Sequence, residues 1–182
     1  MAKFFVSFFR NIRNKKVAKI IDGGKVLDIG CGNDYFLLKR VKNKIEKGYG
    51  IDEKVQSVKE GNIITTRSSV KGKLPFDSGE FDYVTMVAFI EHITKPDDIM
   101  KECNRVLKKG GKIIITTPMG RARKIWETMV KLGLTDEESV KNHEHYFSPE
   151  ELRLLLERNN FKVIEEEKFE LGMNFLIIGK KL

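Results

Sequence analysis

The stretch VLDIGCGNDYFLL, residues 26–38, carries residue types that suit the binding of a nucleoside. A short apolar run ends at Asp28, and Gly30 and Gly32 follow, so the backbone can turn sharply and lie close to a ligand. Asp52 follows Asp28 by 24 residues. This is close to the separation of about 20 expected between a glycine loop and the acid that accepts hydrogen bonds from ribose hydroxyls. The spacing predicts a site for a ribose-containing cofactor.

Asp34 stands where a dinucleotide fingerprint has its third glycine. A dinucleotide places its pyrophosphate on the N-terminus of the following helix, where a carboxylate would repel the phosphates. S-adenosylmethionine has a ribose but no phosphate, and its sulfonium is positively charged, so it suits a loop flanked by Asp28 and Asp34. In a second interpretation Asp34 caps the helix N-terminus, which is compatible with the first because a capping carboxylate also excludes phosphate.

Candidate general bases are few, because the chain has three histidines. His92 follows Glu91 just after the predicted fourth strand, and its alternative role is a structural hydrogen bond at the start of a helix. His145 lies where a predicted insertion rejoins the body, and its alternative role is to fix that insertion or to contact substrate. We predict no metal site at His143-Glu144-His145, because two alternating histidines in a loop have no third ligand nearby.

The regular elements that must position these residues alternate between strands and helices, which predicts an α/β fold with a doubly wound, mostly parallel sheet. The last two strands are separated by about seven residues, too few for a crossover helix, so they are expected to pair in antiparallel orientation. Ser148-Pro149-Glu150-Glu151 predicts a capping box at a helix N-terminus. Strands are expected at 25–29, 48–51, 62–66, 81–87, 112–117, 161–166 and 174–180, and helices at 35–45, 53–60, 96–109 and 149–158.

The formal charge of +8 is concentrated at the N-terminus, where residues 1–25 hold seven Lys or Arg and one acid. Phe5, Phe8 and Ile12 recur at helical spacing among these basic residues, which predicts a basic amphipathic helical segment over residues 1–24. Three roles are open for it: covering the cofactor cleft, peripheral contact with an anionic membrane, or binding of RNA or another protein.

Residues 25–182 are expected to form one domain with an insertion at about 118–148. The insertion leaves the carboxyl end of the fifth strand, where open α/β sheets bind ligands, so we predict a lid or substrate-binding segment. Its basic and aromatic residues either hold an anionic or planar substrate or form a solvated helix face. These residues are Arg121, Arg123, Lys124 and Trp126.

The two cysteines, Cys31 and Cys103, each lie in an apolar pattern, which favours a reduced interior over a disulfide framework. The apolar stretch FFVSFF is too short for a transmembrane span or a signal peptide. We therefore expect a cytoplasmic protein, and the sequence makes no prediction of its oligomeric state.

Five segments resemble, in the right order, the motifs of class I S-adenosylmethionine-dependent methyltransferases, in the small-molecule subgroup similar to methyltransferase type 11. They are VLDIGCGND, GYGIDEK, LPFDSGEFDYVTMVAFIEHI, RVLKKGGKIIITTP and HYFSPEELRLLLERNNF. The resemblance implies a Rossmann-like sheet of seven strands, mostly parallel with an antiparallel last strand, in three αβα layers. It also implies S-adenosyl-L-methionine as cofactor, S-adenosyl-L-homocysteine as product, and methyl transfer to a small-molecule acceptor by in-line displacement.

The resemblance further implies which residues bind the cofactor. The glycine loop would line the methionine part, the acid after the second strand would hold the ribose, and the residues after the fourth strand would border the methyl group. A serine near the usual position of an adenine-binding acid could replace that acid. The residues concerned are Asp28, Gly30, Cys31, Gly32 and Asn33 in the loop, Asp52 and Glu53 after the second strand, Ser69, and Val87 and Ala88.

Two departures from the family pattern keep other functions open. Asp34 replaces the third glycine, and the stretch RSSVKGKLPF contains no adenine-binding acid. A non-catalytic module that binds S-adenosylmethionine or a partner is therefore one alternative. Another is an RNA or protein methyltransferase that uses the basic N-terminal arm. Nucleic acid is not favoured, because VAFIEH after the fourth strand lacks a base-clamping Asn-Pro-Pro-Tyr motif.

Overall fold

A computed structural model describes residues 2–70, 72–120 and 145–182, with side chains described from residue 7 onwards. The strands are β1 Lys25–Ile29, β2 Lys47–Asp52, β3 Val58–Glu60, β4 Ile63–Arg67, β5 Phe81–Val87, β6 Leu107–Pro118, β7 Phe161–Phe169 and β8 Asn174–Lys181. The helices are α1 Ala2–Ile20, α2 Phe36–Val41, α3 Pro96–Val106 and α4 Pro149–Glu157, and a 3₁₀ turn covers Ile90–His92. The strands of this described part form one sheet in the order β3-β4-β2-β1-β5-β6-β8-β7.

The predicted doubly wound sheet with an antiparallel last pair is confirmed. β1 pairs in parallel with β2 and β5, β2 with β4, and β5 with β6. β8 lies between β6 and β7 and is antiparallel to both. The turn from β7 to β8 is tight, and Glu170 and Leu171 adopt left-handed φ values of 51° and 56° in it. A connection this short permits only antiparallel pairing.

The short helix expected at 53–60 is wrong. Val58–Glu60 instead forms β3, which pairs antiparallel with β4 at the edge of the sheet. Glu60 and Ile63 are paired, so Gly61 and Asn62 form a two-residue hairpin loop, and Gly61 has a φ of 59°. Tight hairpins favour glycine and asparagine because their loop residues need positive φ. The hairpin adds an eighth strand to the seven that were predicted.

Helices cover both faces of the sheet in the described part of the chain, which confirms the three-layer arrangement. α1 and α2 pack on one face and α3 and α4 on the other. The predicted capping box is present at the start of α4, where Ser148 accepts a hydrogen bond from the amide of Glu151. The buried helix residues that make the contacts are Val17, Ala18, Leu37, Leu38 and Val41 on the first face and Met100, Cys103, Leu152 and Leu156 on the second.

α1 runs from the carboxyl edge of the sheet to its amino edge. Ile20 at its C-terminus is followed by the short connection to Lys25, the first residue of β1. Arg10, nearer its N-terminus, forms a salt bridge with Asp34, which lies beyond the carboxyl end of β1. The N-terminal half of α1 therefore lies beside the loops that leave the strands.

None of the described helices combines the length and apolarity that crossing a bilayer requires.

β2 packs against the glycine loop and α2 without room for a side chain at Gly50. A Cβ atom on Gly50 would lie 2.9 Å from the Sγ atom of Cys31 and 3.1 Å from Cδ1 of Leu38. The missing side chain lets Cys31 and Leu38 approach the backbone of β2 directly. The glycine loop is thereby pressed against the strand that carries Asp52.

We expect Gly50→Ala to destabilise the protein by about 1–3 kcal/mol, because the added methyl overpacks a filled space. Cys31→Ala removes the Sγ atom from that space, so the double variant should recover part of the loss. Urea unfolding of the wild type, both single variants and the double variant measures the coupling. Strictly additive free energies of unfolding would contradict the proposed contact.

Candidate cofactor and acceptor site

The site lies where the direction of strand addition reverses. From β1 the chain continues to β2 and β4 on one side, and then returns to β5 and β6 on the other. β1 and β5 are neighbours, and the chain leaves them towards opposite sides of the sheet. The loops that follow these two strands therefore diverge at the carboxyl edge. Open α/β sheets bind their ligands in such a crevice.

The glycine loop after β1 is held by the end of β2. The amides of Gly30 and Cys31 donate to the carbonyl oxygen of Ile51, at 2.8 and 3.3 Å. The amide of Gly32 donates to Oδ2 of Asp52 at 3.0 Å. Gly30 and Gly32 have φ values of 74° and 68°, which side-chain-bearing residues rarely adopt. The predicted loop and the predicted ribose acid are therefore in direct contact.

Asp52 keeps hydrogen-bonding capacity in spite of these contacts. Its Oδ1 accepts from the amide of Lys54 at 2.8 Å and its Oδ2 from the amide of Gly32. Each oxygen of an ionised carboxylate has two lone pairs, so one lone pair on each oxygen is left for a ligand. Two hydroxyl groups on neighbouring carbons suit this geometry.

Asp28 lies buried beneath the loop. Thr85 of β5 donates to its Oδ1 at 2.6 Å. Burial raises the pKa of the Asp28 carboxyl from 3.8 to about 7, and the nearby charge of Asp52 acts in the same direction, while the hydrogen bond from Thr85 opposes them. Burial and these two carboxylates also raise the pKa of the Cys31 thiol. Cys31 therefore stays protonated and contributes packing.

Asp34 does not cap α2. The N-cap position is Tyr35, and no side chain caps the helix there, so the capping interpretation is wrong. The carboxylate of Asp34 instead accepts from Nη1 of Arg10 at 3.3 Å. Asp34 thus connects the mouth of the glycine loop to α1. The Arg10 guanidinium also lies 5.4 Å from the centre of the Phe36 ring, which strengthens the connection.

The other expected cofactor residues lie at the same edge of the sheet. Asn33, Glu53 and Ser69 are exposed, the last two just beyond β2 and β4, which are paired at their ends. Val87 ends β5, and Ala88 adopts a left-handed φ of 53°. The amide of Ala88 donates to the carbonyl oxygen of Thr116 at 2.8 Å, and this hydrogen bond helps hold the strained residue in place.

Phe89 joins the loop after β5 to the glycine loop, and nothing in the sequence indicated this role. A Cβ atom on Gly30 would lie only 2.0 Å from Cδ2 of the Phe89 ring. Gly30 is therefore required both for its positive φ and for the space that Phe89 occupies. The contact fixes the two loops relative to each other across the crevice.

The two candidate bases have different surroundings. His92 is partly buried at the end of the 3₁₀ turn, with its ring centre 6.4 Å from that of Phe89. His145 is exposed, and its Nε2 lies 3.7 Å from Oε1 of Glu151, while its ring packs edge-on against Phe147. Its amide donates to the carbonyl oxygen of Glu91 at 3.3 Å. His143, Glu144, Arg121, Arg123, Lys124 and Trp126 lie outside the described residues.

A polar cluster, formed by Arg13, Glu91, Glu170 and Asn174, occupies the same edge on the β6–β8 side. The Glu91 side chain is fully buried, and Thr117 donates to its Oε2 at 3.1 Å. Asn174 donates to Oε2 of Glu170. Burial raises the pKa values of the Glu91 and Glu170 carboxyls, and the charge of Arg13 opposes this for both. No sequence pattern predicted the cluster as a whole, although the Glu91-His92 pair and the spacing of the basic residues in α1 indicated part of it.

Comparisons with known proteins agree with this geometry. The profile of a family described as a methyltransferase domain matches residues 5–166. A ubiquinone biosynthesis O-methyltransferase of Idiomarina loihiensis is 29% identical over 147 residues, which cover 71% of this chain and 58% of that protein. The chain spans about half the length of the curated relatives it matches.

Solved structures share the fold over nearly the whole chain. A methyltransferase in complex with the Trm112 methyltransferase activator of Haloferax volcanii has a TM-score of 0.75 and 17% identity, covering 94% of this chain and 90% of that one. An S-adenosylmethionine-dependent methyltransferase of Thermotoga maritima, described as a possible histamine N-methyltransferase, has a TM-score of 0.70 and 22% identity, covering 93% and 88%. At these identities the similarity shows a common fold.

The raised pKa of Asp28 predicts a pH dependence of stability. A carboxyl that has a higher pKa in the folded than in the unfolded state stabilises the fold fully below its unfolded value of 3.8. That contribution is lost as the pH rises towards and through about 7. The side chain of the Asp28→Asn variant cannot ionise. The free energy of unfolding of the variant should therefore increase relative to that of the wild type as the pH rises, by at most roughly 1.4 kcal/mol per pH unit.

Urea unfolding of the wild type and Asp28→Asn at several pH values between about 4 and 8 measures this difference. Taking the difference between the two proteins removes the opposite trend from exposed carboxyls with lowered pKa values, such as Asp97 and Glu166. Parallel curves over the whole range would show that Asp28 is ionised in the folded protein at all these pH values.

Proposed function

The chain belongs to the methyltransferase-domain family, and from this premise we propose that it transfers a methyl group from S-adenosyl-L-methionine to a small-molecule acceptor, with S-adenosyl-L-homocysteine as the product. The observation that carries the proposal is the 3.0 Å hydrogen bond between the Gly32 amide and the Asp52 carboxylate. It holds a glycine loop beside an acid with free lone pairs, at the point of the sheet where ligands bind.

The residues at this edge fit the parts of S-adenosylmethionine. Asp52 can accept hydrogen bonds from both ribose hydroxyls. Apart from Gly32 itself and its two chain neighbours, no heavy atom of the described residues lies within 4 Å of the position that a Cβ on Gly32 would take, so a ligand can lie directly on the backbone. Asp28 and Asp34 complement a cationic cofactor. The family resemblance assigns further contacts with the cofactor to Gly30, Cys31, Asn33, Glu53, Ser69, Val87 and Ala88.

When bound, S-adenosylmethionine supplies an electrophilic methyl group on a positively charged sulfur. The residues of this chain then have to align the acceptor with that methyl and exclude water. Ala88 and Phe89 border the crevice on the β5 side and are well placed for this. His92 is our candidate general base for an acceptor that must lose a proton. For His145, whose imidazole lies against Glu151 and Phe147, a positioning role fits better.

Among the roles open to the N-terminal segment, covering the cleft has the best support. Arg10 pairs with Asp34 at the mouth of the glycine loop. Lys16 pairs with Glu167 of β7 at 2.6 Å. Arg13 interacts electrostatically with Glu91 and with Glu170, which follows β7. These basic side chains are therefore directed at acids of the same chain, and less positive charge remains for a membrane or RNA.

The acceptor is proposed to be a small molecule because some of the proteins similar to this chain are named for such acceptors. The relative from Idiomarina loihiensis is named for O-methylation in ubiquinone biosynthesis. The structural neighbour from Thermotoga maritima is described as a possible histamine N-methyltransferase. The two names differ in the atom that receives the methyl group, so the acceptor has to be inferred from the chain's own residues.

We expect Asp52→Asn to weaken binding of S-adenosylmethionine and S-adenosylhomocysteine about 10- to 100-fold. A hydrogen bond to a charged group contributes about 1.5–3 kcal/mol, and the asparagine amide would also face one of the two backbone N–H donors. Isothermal titration calorimetry measures both affinities. Asp77→Asn is a matched control, since Asp77 is exposed in the loop that leads into β5 at the opposite edge.

Two results of this titration would count against the proposals. A wild-type protein that binds neither ligand at millimolar concentration overturns the proposed function. A wild-type affinity retained by Asp52→Asn removes Asp52 from the cofactor site. Incubation of a fractionated host extract with methyl-labelled S-adenosylmethionine then tests catalysis, because cofactor binding without any labelled product favours the non-catalytic module.

Asp34→Asn should change the affinity for S-adenosylmethionine by about threefold at most. The Arg10–Asp34 pair is largely exposed, with 44% and 59% of the two side chains accessible, and such pairs contribute about 0–1 kcal/mol. The same calorimetric titration, carried out at low and at high salt, measures the effect. A loss of about tenfold or more would indicate that Asp34 contacts the ammonium group of the cofactor directly.

A further inference from the structure

The polar cluster contains four buried atoms that have no hydrogen-bond partner. They are Nε of Arg13, Oε1 of Glu91, Oε1 of Glu170 and Oδ1 of Asn174. Glu91 and Asn174 are 0% and 1% exposed, so bulk water does not reach them. An unsatisfied buried polar group costs about 1–3 kcal/mol, and folded proteins rarely leave several together. Four such atoms at one edge of the sheet leave buried hydrogen-bonding capacity that a polar ligand can satisfy.

The second oxygen of each glutamate is already fixed. Thr117 at the end of β6 donates to Oε2 of Glu91, and Asn174 at the start of β8 donates to Oε2 of Glu170. These hydrogen bonds orient the two carboxyl groups and leave their Oε1 atoms as acceptors. The site is therefore built from side chains of α1, the 3₁₀ turn, the β7–β8 turn and β8, and Thr117 of β6 supports it.

The hydrogen-bonding properties of the four unpaired atoms indicate which class of ligand fits the cluster. Three of them are oxygens that accept hydrogen bonds, and one is an N–H donor. Two of the oxygens belong to carboxyl groups, so an anionic ligand would be repelled. An ammonium group offers three donors and one positive charge, whereas a hydroxyl offers a single donor. Burial raises the pKa of both glutamates, and the positive charge of Arg13 opposes this effect.

The cluster includes Glu91 from the loop after β5, which the family resemblance places beside the transferable methyl. Glu91 follows Ala88 by three residues in the loop after β5. We propose that the polar cluster is the acceptor subsite and that the acceptor is a primary amine, whose N–H groups donate to Glu91, Glu170 and Asn174. This inference rests on the proposed methyl transfer and names the class of its substrate. The Nε–H group of Arg13 is left to bind an oxygen or ring nitrogen elsewhere in the acceptor.

The reaction follows from the placement of Glu91. For an amine acceptor Glu91, and not the neighbouring His92, takes the proton: the ammonium group gives one proton to the Glu91 carboxylate. The amine then turns so that the freed lone pair faces and attacks the methyl carbon, while its two remaining N–H groups donate to Glu170 and Asn174. The carbon–sulfur bond breaks and its electron pair goes to sulfur, leaving S-adenosylhomocysteine and a secondary ammonium product. Burial raises the pKa of the Glu91 carboxyl, which makes its carboxylate a stronger proton acceptor than an exposed one.

Calorimetric titration in the presence of saturating S-adenosylhomocysteine tests the subsite with phenethylamine and butylamine as probes. Phenethyl alcohol and butanol are the matched neutral probes. The wild type should bind the amines at least about tenfold more tightly than the alcohols. Glu91→Gln and Glu170→Gln should each weaken amine binding about tenfold or more. Glu165→Gln, which alters an exposed residue of β7, should leave amine binding within about twofold of wild type.

The affinity for S-adenosylhomocysteine, measured in the same proteins, separates the two proposals. We expect it to be unchanged in all three variants, and thermal unfolding checks that each is folded. If Glu91→Gln does not fold, Glu170→Gln, which alters a partly exposed residue, decides the test. A wild type that binds S-adenosylhomocysteine but binds neither amine, or binds amines and alcohols equally, overturns the acceptor inference and leaves the proposed function intact. Absence of S-adenosylhomocysteine binding removes both.

Discussion

The site depends on the hydrogen bonds that the end of β2 provides to the glycine loop. A loop with glycines at positive φ has many accessible conformations, and the first amides of this loop need acceptors from another element. Ile51 and Asp52 supply acceptors for three of these amides, at Gly30, Cys31 and Gly32. The pairing of Asp28 with Gly50 and of Ile29 with Ile51 sets the register in which this is possible. A single element thus fixes the loop and carries the ribose acid.

Much of the fold could be predicted from the sequence, because strands buried on both faces leave continuous apolar runs. The antiparallel end of the sheet followed from the short connection before Asn174. The region after Asp52 could not be assigned from periodicity, since Val58–Glu60 is a three-residue edge strand stabilised by its pairing with β4. The residues that indicate a hairpin are Gly61 and Asn62 of the turn, and not those of the strand itself. Edge elements of this kind are determined mainly by tertiary contacts.

The site residues that lie at strand ends could be predicted from the sequence. Those contributed by elements far apart in the sequence could not. Asp28, Gly32 and Asp52 occupy positions at which parallel strands terminate, and topology brings such positions together. The partner of Asp34 is Arg10, 24 residues earlier on α1, so local capping rules gave the wrong role. Arg13, Glu91 and Asn174 meet only because α1, the 3₁₀ turn and β8 converge at one edge. No local sequence pattern encodes that convergence.

α1 links the two halves of the site through one face of the helix. Arg10 and Arg13 are three residues apart, a spacing that puts them on the same side. Arg10 reaches the acid at the mouth of the glycine loop, and Arg13 acts on Glu91 and Glu170 of the polar cluster. Removing a charge from water is costly unless opposite charges and hydrogen bonds compensate for it. Arg10 and Arg13 and the acids at this edge therefore stabilise each other, which supports the proposed role of α1 as a cover of the cleft.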